Sequence, residues 1–318
     1  MPFTLANRLV VGVASSALFD LTESHEVFKT GNEEIYRKYQ EENLEIPLRQ
    51  GVAFPFIRRL LSLNNLVKPE DPLVEVIILS KNSPDTGMRV MRSIQNHSLA
   101  ITRAIFTQGR SPYRFMSALN MSLFLSANAS DVRNAIDLGL PAGHVQLSSF
   151  VDDESDDDLR IAFDFDGVIA NDEAERVMQT GTLTDFHDHE VANAIVPLKP
   201  GPLSDFLASM NRIQRIEEER RSLDQTYKIR VRISIVTARN APSHERAVRS
   251  LKSWGVTVND AFFLGGIDKG AVLDVMKPHI FFDDQQGHLS GAPGIPCVHV
   301  PFGVVNETQA SNESEDAA

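Results

Sequence analysis

The sequence predicts an α/β protein made of two tandem, doubly wound parallel-sheet units. Three observations carry that expectation. Short apolar runs alternate with amphipathic stretches along the whole chain, the pattern of strands connected by crossover helices. The two halves match each other at a nearly constant offset, which implies an internal duplication. Polar residues able to do chemistry stand at the ends of apolar runs in the second half, and all but one of them lack a matching group in the first.

In the first half the apolar runs predict strands near 8–14, 74–79, 103–106, 122–125 and 144–147. In the second they predict strands near 160–165, 231–236, 261–264, 279–282 and 297–300, with helices at about 172–180, 202–221, 243–254 and 269–276. The run from Leu9 to Phe19 has the look of a signal-peptide core, but the internal repeat makes it a buried first strand. In sheets of this kind ligands bind beyond the carboxyl ends of the strands.

At an offset of 150, Leu9, Glu23, Thr30, Gly31, Pro47, Leu48, Gly51 and Phe56 find identical residues at Leu159, Glu173, Thr180, Gly181, Pro197, Leu198, Gly201 and Phe206. At an offset of 157, Ile78, Arg89, Arg92, Ser93, Phe106 and Phe124 find Ile235, Arg246, Arg249, Ser250, Phe263 and Phe281. The extra residues of the second half fall in the charged stretch after Arg215. The division expected is 1–150, an acidic solvated linker at 151–159, a second unit at 160–303 with an insertion at about 171–230, and a disordered tail at 304–318.

A chain of 318 residues, 42% hydrophobic, can bury a substantial core. Its net charge of −12 argues against a nucleic-acid polymer or an anionic membrane as partner. The single cysteine, Cys297, allows no internal disulfide and fits a reducing, cytoplasmic setting. No apolar run approaches the roughly 18–20 residues of a membrane span.

The chemistry is concentrated in four segments. Asp164 and Asp166 follow an apolar strand at period-two spacing, and Gly167 lets the chain turn tightly around a small ligand. Two carboxylates that close repel unless a cation or a proton lies between them. Thr237 ends an apolar strand with a hydroxyl that can donate to a phosphate oxygen. Lys269 sits in a glycine-flanked turn, and Asp283 with Asp284 ends a further strand. Hard carboxylate ligands from separate strands suit Mg²⁺, so the set suits Mg²⁺-assisted phosphoryl transfer.

These four segments resemble the motifs of the haloacid dehalogenase (HAD) phosphohydrolase superfamily. The stretches ASSALFD, PLRQGVAFPF, LSKNSPDTG, GRSPYRF, FDFDGVIANDEAERV, VTARN, LKSWG and PHIFFDDQ together resemble the cytosolic 5'-nucleotidase I family, over most of residues 8 to 303. Where many members carry a DGDAVLF-type first motif, this chain has DFDGVIA, with both aspartates kept. The resemblance implies two HAD-like units, with the insertion after the first motif acting as a short cap. It implies hydrolysis of nucleoside 5'-monophosphates, AMP or IMP foremost, with Mg²⁺ as cofactor; a HAD phosphatase for another small phosphomonoester such as a sugar phosphate, and a non-catalytic nucleotide-binding protein, are the alternatives. Asp164 would be the nucleophile and Asp166 the general acid and base. Thr237 and Lys269 would bind the phosphate, and Asp164, Asp166, Asp283 and Asp284 would hold the metal. In the first half those positions are Ala14, Ser16, Ser80, Pro112, Ser126 and Ala127, so that copy is expected to be catalytically degenerate.

Asn171, Asp172 and Arg239 adjoin the motifs and are candidates for ribose or phosphate contacts, with a surface ion pair as the alternative for Arg239. Asn82 and Tyr113, in polar, turn-rich segments of the first half, are candidates for nucleoside contacts across the interface between the halves. His187 and His189 are read as exposed helix or cap residues, because their i, i+2 spacing does not make a zinc site. Association into a homo-oligomer is left open.

Overall fold

The computed structural model describes residues 4–307. The first half contributes Leu9–Val13 (β1), Val74–Ser80 (β2), Arg103–Phe106 (β3), Leu123–Ser126 (β4) and Ala142–Val145 (β5). The second contributes Leu159–Phe163 (β6), Val231–Thr237 (β7), Asp260–Phe263 (β8), Ile280–Asp283 (β9) and Cys297–His299 (β10). All ten belong to one sheet, in the order β8-β7-β6-β9-β10-β5-β4-β1-β2-β3. Numbered within its own half, each set of five runs 3-2-1-4-5.

Every pairing in this sheet is parallel except one. Between β10 and β5 the strands are antiparallel, with Val298 opposite Val145 and His299 opposite His144. The strands of the two halves therefore run in opposite directions, and their carboxyl ends lie on opposite edges of the sheet.

Matched positions make matched contacts. Ser93 Oγ accepts from the Leu48 amide at 3.0 Å, and Ser250 Oγ from the Leu198 amide at 2.9 Å. Arg89 donates to Gln40 and to the Ile46 carbonyl, and Arg246 to Glu190 and to the Val196 carbonyl. Phe56 and Phe206, equivalent by the offset of 150, meet each other with centroids 6.4 Å apart.

The inner strands β1, β2 and β9 are buried along their length, and β6 at every residue but Arg160, as strands covered on both faces must be. Phe163 stacks on Phe282 at 5.1 Å and Phe206 closes over both. The acidic segment at 151–159 is exposed for the most part, but it is clasped. Buried Arg59 reaches the Asp152 carboxylate at 2.7 Å and the carbonyls of Asp153 and Asp158, and Arg58 adds a second bond to Asp152.

The helices expected in the second half are present at Glu173–Thr180, Ser204–Leu223, His244–Ser253 and Lys269–Met276. A further helix, Leu183–Ala192, starts with a capping box between Thr182 and Asp185. It carries His187 and His189, which are half-buried rather than exposed. Residues 304–307 continue the fold as a helical turn, with Asn306 buried, so the start of the expected disordered tail is ordered. The rest of that tail, 308–318, lies outside the described residues.

Candidate active site

The carboxyl ends of β6, β7 and β9 converge on one group of side chains. β6 stops at Phe163, so Asp164 and Asp166 stand just beyond the strand rather than in it. The Asp164 amide still donates to Phe282 O of β9 at 2.7 Å, and Asp164 Oδ1 accepts from the Phe165 amide at 2.6 Å. Thr237 is the last residue of β7, and Asp283 the last of β9. Lys269 opens the helix Lys269–Met276, whose first turn is capped by Asp268.

Lys269 is the hub. Its ammonium lies 2.7 Å from Asp164 and 2.7 Å from Asp283, and all three groups are buried. Burial alone would lift the Asp283 carboxyl. Lys269, and His288 with its Nδ1 3.1 Å away, outweigh that and hold it low. Asp164 has fewer donors: burial dominates, the neighbouring carboxylates add to it, and its carboxyl is pushed up to about 7. Lys269 keeps its proton firmly, because the two carboxylates overcome its burial.

Asp284 is the exposed end of this imbalance in charge terms, though it is buried in space. Burial and the charges of Asp164 and Asp283 drive its carboxyl well above the usual range. Its Oδ1 has no hydrogen-bond partner among the described residues. Three buried carboxylates with one lysine between them and one oxygen orphaned are a donor set suited to a hard divalent cation. Asp164, Asp283 and His288 also lie close enough together to share an ion. His288 is already engaged with Asp283, so oxygen atoms are the better ligands.

Gly167 makes room for Asp284. A Cβ on Gly167 would lie 2.4 Å from Asp284 Oδ2, and its φ of +73° is left-handed. Gly167→Ala is therefore expected to displace the Asp284 carboxylate. The backbone change should cost ~1–2 kcal/mol of stability, and a shift of about 1 Å in the site should slow phosphate release roughly a hundredfold. Steady-state phosphate release and chemical denaturation of the variant check both.

Residues 1–307 match the 5'-nucleotidase family model. The chain belongs to the 5'-nucleotidase family. It is 30% identical over 291 residues to the Homo sapiens protein cytosolic 5'-nucleotidase 1B, covering 90% of this chain and 47% of that protein. The chain thus spans about half the length of that curated relative. Among solved structures, the S. aureus MnaA–UDP structure covers 98% of this chain and 88% of its own at 10% identity, with a TM-score of 0.22. A likeness at that score carries no argument about this chain.

Around the central cluster the chain has an ion-pair network that the sequence did not disclose. Arg239 donates from Nε and Nη2 to the two oxygens of Asp166, both at 2.7 Å. Its Nη1 pairs with Glu190 and donates to Ser243 O at 3.1 Å. Glu190 also accepts from Arg246 at 2.8 Å, and Arg246 reaches Glu173 at 2.8 Å. Arg239 therefore pairs with half-buried Asp166 and buried Glu190, not with a surface carboxylate. Burial works against the Glu190 carboxylate, but Arg239 and Arg246 together hold it low.

Asn171 stands near the site, half-buried, with its side-chain oxygen unpartnered among the described residues. Asp172 is occupied: it accepts from the Val304 amide at 2.9 Å and pairs with Arg176. Asn82 and Tyr113 do not join the cluster. They follow β2 and β3, whose carboxyl ends are on the sheet edge opposite Asp164, because of the antiparallel seam. Tyr113 is buried in a short 3-10 turn, and Asn82 lines a cleft of the first half.

Proposed function

We propose that the chain hydrolyses nucleoside 5'-monophosphates, AMP and IMP foremost, in a Mg²⁺-dependent reaction through an aspartyl-phosphate. The observation that carries this reading is Asp164, buried at a strand end and held 2.7 Å from Lys269, in a chain of the 5'-nucleotidase family. Asp164 attacks phosphorus and the nucleoside leaves. Asp166 gives the leaving oxygen its proton, then takes one from the water that cleaves the acyl phosphate. The Thr237 hydroxyl and the Lys269 ammonium hold the phosphoryl oxygens as their charge shifts, which favours the transition state. Asp164, Asp166, Asp283 and Asp284 would hold Mg²⁺, which screens the repulsion between an anionic nucleophile and an anionic phosphate. Asn171 and Arg239 are the second-half candidates for contact with the substrate. Arg239 must loosen from Asp166 or Glu190 to make one.

The same reading takes the two halves as copies of one HAD-like unit, divided at the acidic segment, with the first no longer catalytic. The repeated strand order and the paired contacts of Ser93 with Ser250 and Arg89 with Arg246 support it. The helices between 173 and 223 serve as the cap of the second half. The enzyme works in the cytoplasm, which the reduced Cys297 and the cytosolic relative favour. No helix among the described residues is long and apolar enough to cross a membrane.

A panel of nucleoside monophosphates and sugar phosphates, assayed for phosphate release with and without Mg²⁺, tests the reading. Metal-dependent release led by AMP or IMP is expected. Release from sugar phosphates alone would discard the nucleotide assignment and keep the site.

Proton competition at Asp164 gives a second expected result. A carboxyl raised from 3.8 to about 7 contributes stability that is present below 3.8 and lost as pH rises through 7. A divalent cation needs the ionised form, so it restores most where the proton has left. The gain in thermal midpoint from Mg²⁺ should be larger at pH 8 than at pH 6. Asp164→Asn should flatten that difference; an equal gain at both pH values in the unaltered protein would contradict the assignment.

A further inference from the structure

The first half keeps an open cleft where the second half is tied shut. In the second half the chain Asp166–Arg239–Glu190 fastens the helix Leu183–Ala192 to the sheet edge. The matched residues in the first half are Ser16, Asn82 and Gln40, none of them charged. Beneath the helices Thr22–Thr30 and Glu33–Glu42 lies a cleft of about 550 Å³, enough for a nucleotide-sized ligand. Phe28 and Tyr36 form its aromatic wall, edge to face at 5.3 Å, and Phe28 is 55% exposed. Lys81 and Asn82 line both this cleft and a smaller polar pocket of about 160 Å³.

That smaller pocket is walled by Ser16, Ser80, Ser126 and Asn128 beside Lys81. It occupies the place that the carboxylates hold in the other half. Ala14 and Ser126 stand where Asp164 and Asp283 would be, so an entering phosphate meets hydroxyl donors and an ammonium and no carboxylate nucleophile. Nothing there would need a metal to cancel carboxylate repulsion. Asp131 holds Lys81 at 2.5 Å, the negative charge a phosphate in this smaller pocket must compete with, while Glu33 lines the larger cleft.

We propose that this cleft is a second, non-catalytic binding site for a nucleoside phosphate, taken up without a metal. The phosphate lies among the serines and Lys81, and the flat base lies against Phe28 and Tyr36. The choice of a nucleotide rests on the function proposed above; the site itself rests on the cleft.

The test is calorimetric titration of the full chain with AMP, adenosine and inorganic phosphate in excess chelator, where turnover is silent. AMP should bind, and more tightly than adenosine or phosphate alone. Thr237→Val should leave this binding intact. Ser126→Asp and Tyr36→Ala should weaken it by at least about tenfold. Asp131→Asn should tighten it by freeing Lys81, and being isosteric it decides the matter if another variant fails to fold. No AMP binding in chelator would overturn the proposal. So would loss in Thr237→Val with retention in Ser126→Asp. Failure of the nucleotidase reading would show separately, as no phosphate release from AMP with Mg²⁺.

Discussion

Asp164→Asn should abolish phosphate release, by roughly 10⁴-fold or more, the scale on which loss of a nucleophile is felt. The substitution is nearly isosteric, and it keeps an oxygen to accept from the Phe165 amide. Lys269 retains Asp283 as its counter-ion. Without metal the variant should unfold no more easily than the parent at pH 8, because one of three crowded buried carboxylates has lost its charge. Phosphate release and a metal-free thermal midpoint, measured together, separate chemistry from folding. Substantial activity in a folded variant would remove Asp164 from the role of nucleophile. Loss of activity with a collapsed midpoint would say only that the Lys269 cluster holds the fold.

What could be read from the sequence follows from where information is local. The ten main strands were legible because buried parallel strands are short apolar runs, and Thr237 and Asp283 were legible because they end such runs. Gly167 was legible as a turn, though its close approach to Asp284 needed coordinates. The antiparallel seam between β5 and β10 was not legible. Its two strands are short and carry no turn signal, and their relative direction is fixed by packing across the midline of the molecule. That one unread direction is why Asn82 and Tyr113 were assigned to a site on the other edge of the sheet. His288 was missed because it lies five residues beyond Asp283 on a short helix, where nothing in the sequence marks it as that carboxylate's partner. Glu190 was missed for a related reason. It is one acidic residue in a polar helix, and only the partners brought by two other segments, Arg239 and Arg246, make it special.

Glu190 has the largest stability effect expected outside the central cluster. It is buried completely, between two guanidinium groups that are themselves 3% and 2% exposed. Removing one charge from such a network leaves the others desolvated and uncompensated, at a cost of about 3–5 kcal/mol. Glu190→Gln should show that loss in chemical denaturation at neutral pH. Its pH signature is fixed in sign. A carboxylate held below its ordinary 4.5 stabilises the fold above that value and loses its contribution as pH falls, so the variant should lack that part of the acid-side loss. In catalysis Arg239 would lose one anchor and hold Asp166 less firmly, and kcat should fall by about a hundredfold with KM changed less. The first half suggests the compensating change. There Gln40 meets Arg89 while Asn82 stands in the place of Arg239, an arrangement with one guanidinium fewer and no carboxylate at the Glu190 position that the fold already tolerates. The double variant Glu190→Gln with Arg239→Asn should therefore recover much of the lost stability, since Arg246 keeps Glu173 as a partner. It should not recover kcat, because Asp166 would then have no guanidinium to orient it. If the double variant regained activity along with stability, Arg239 would be a structural strut rather than the residue that positions Asp166.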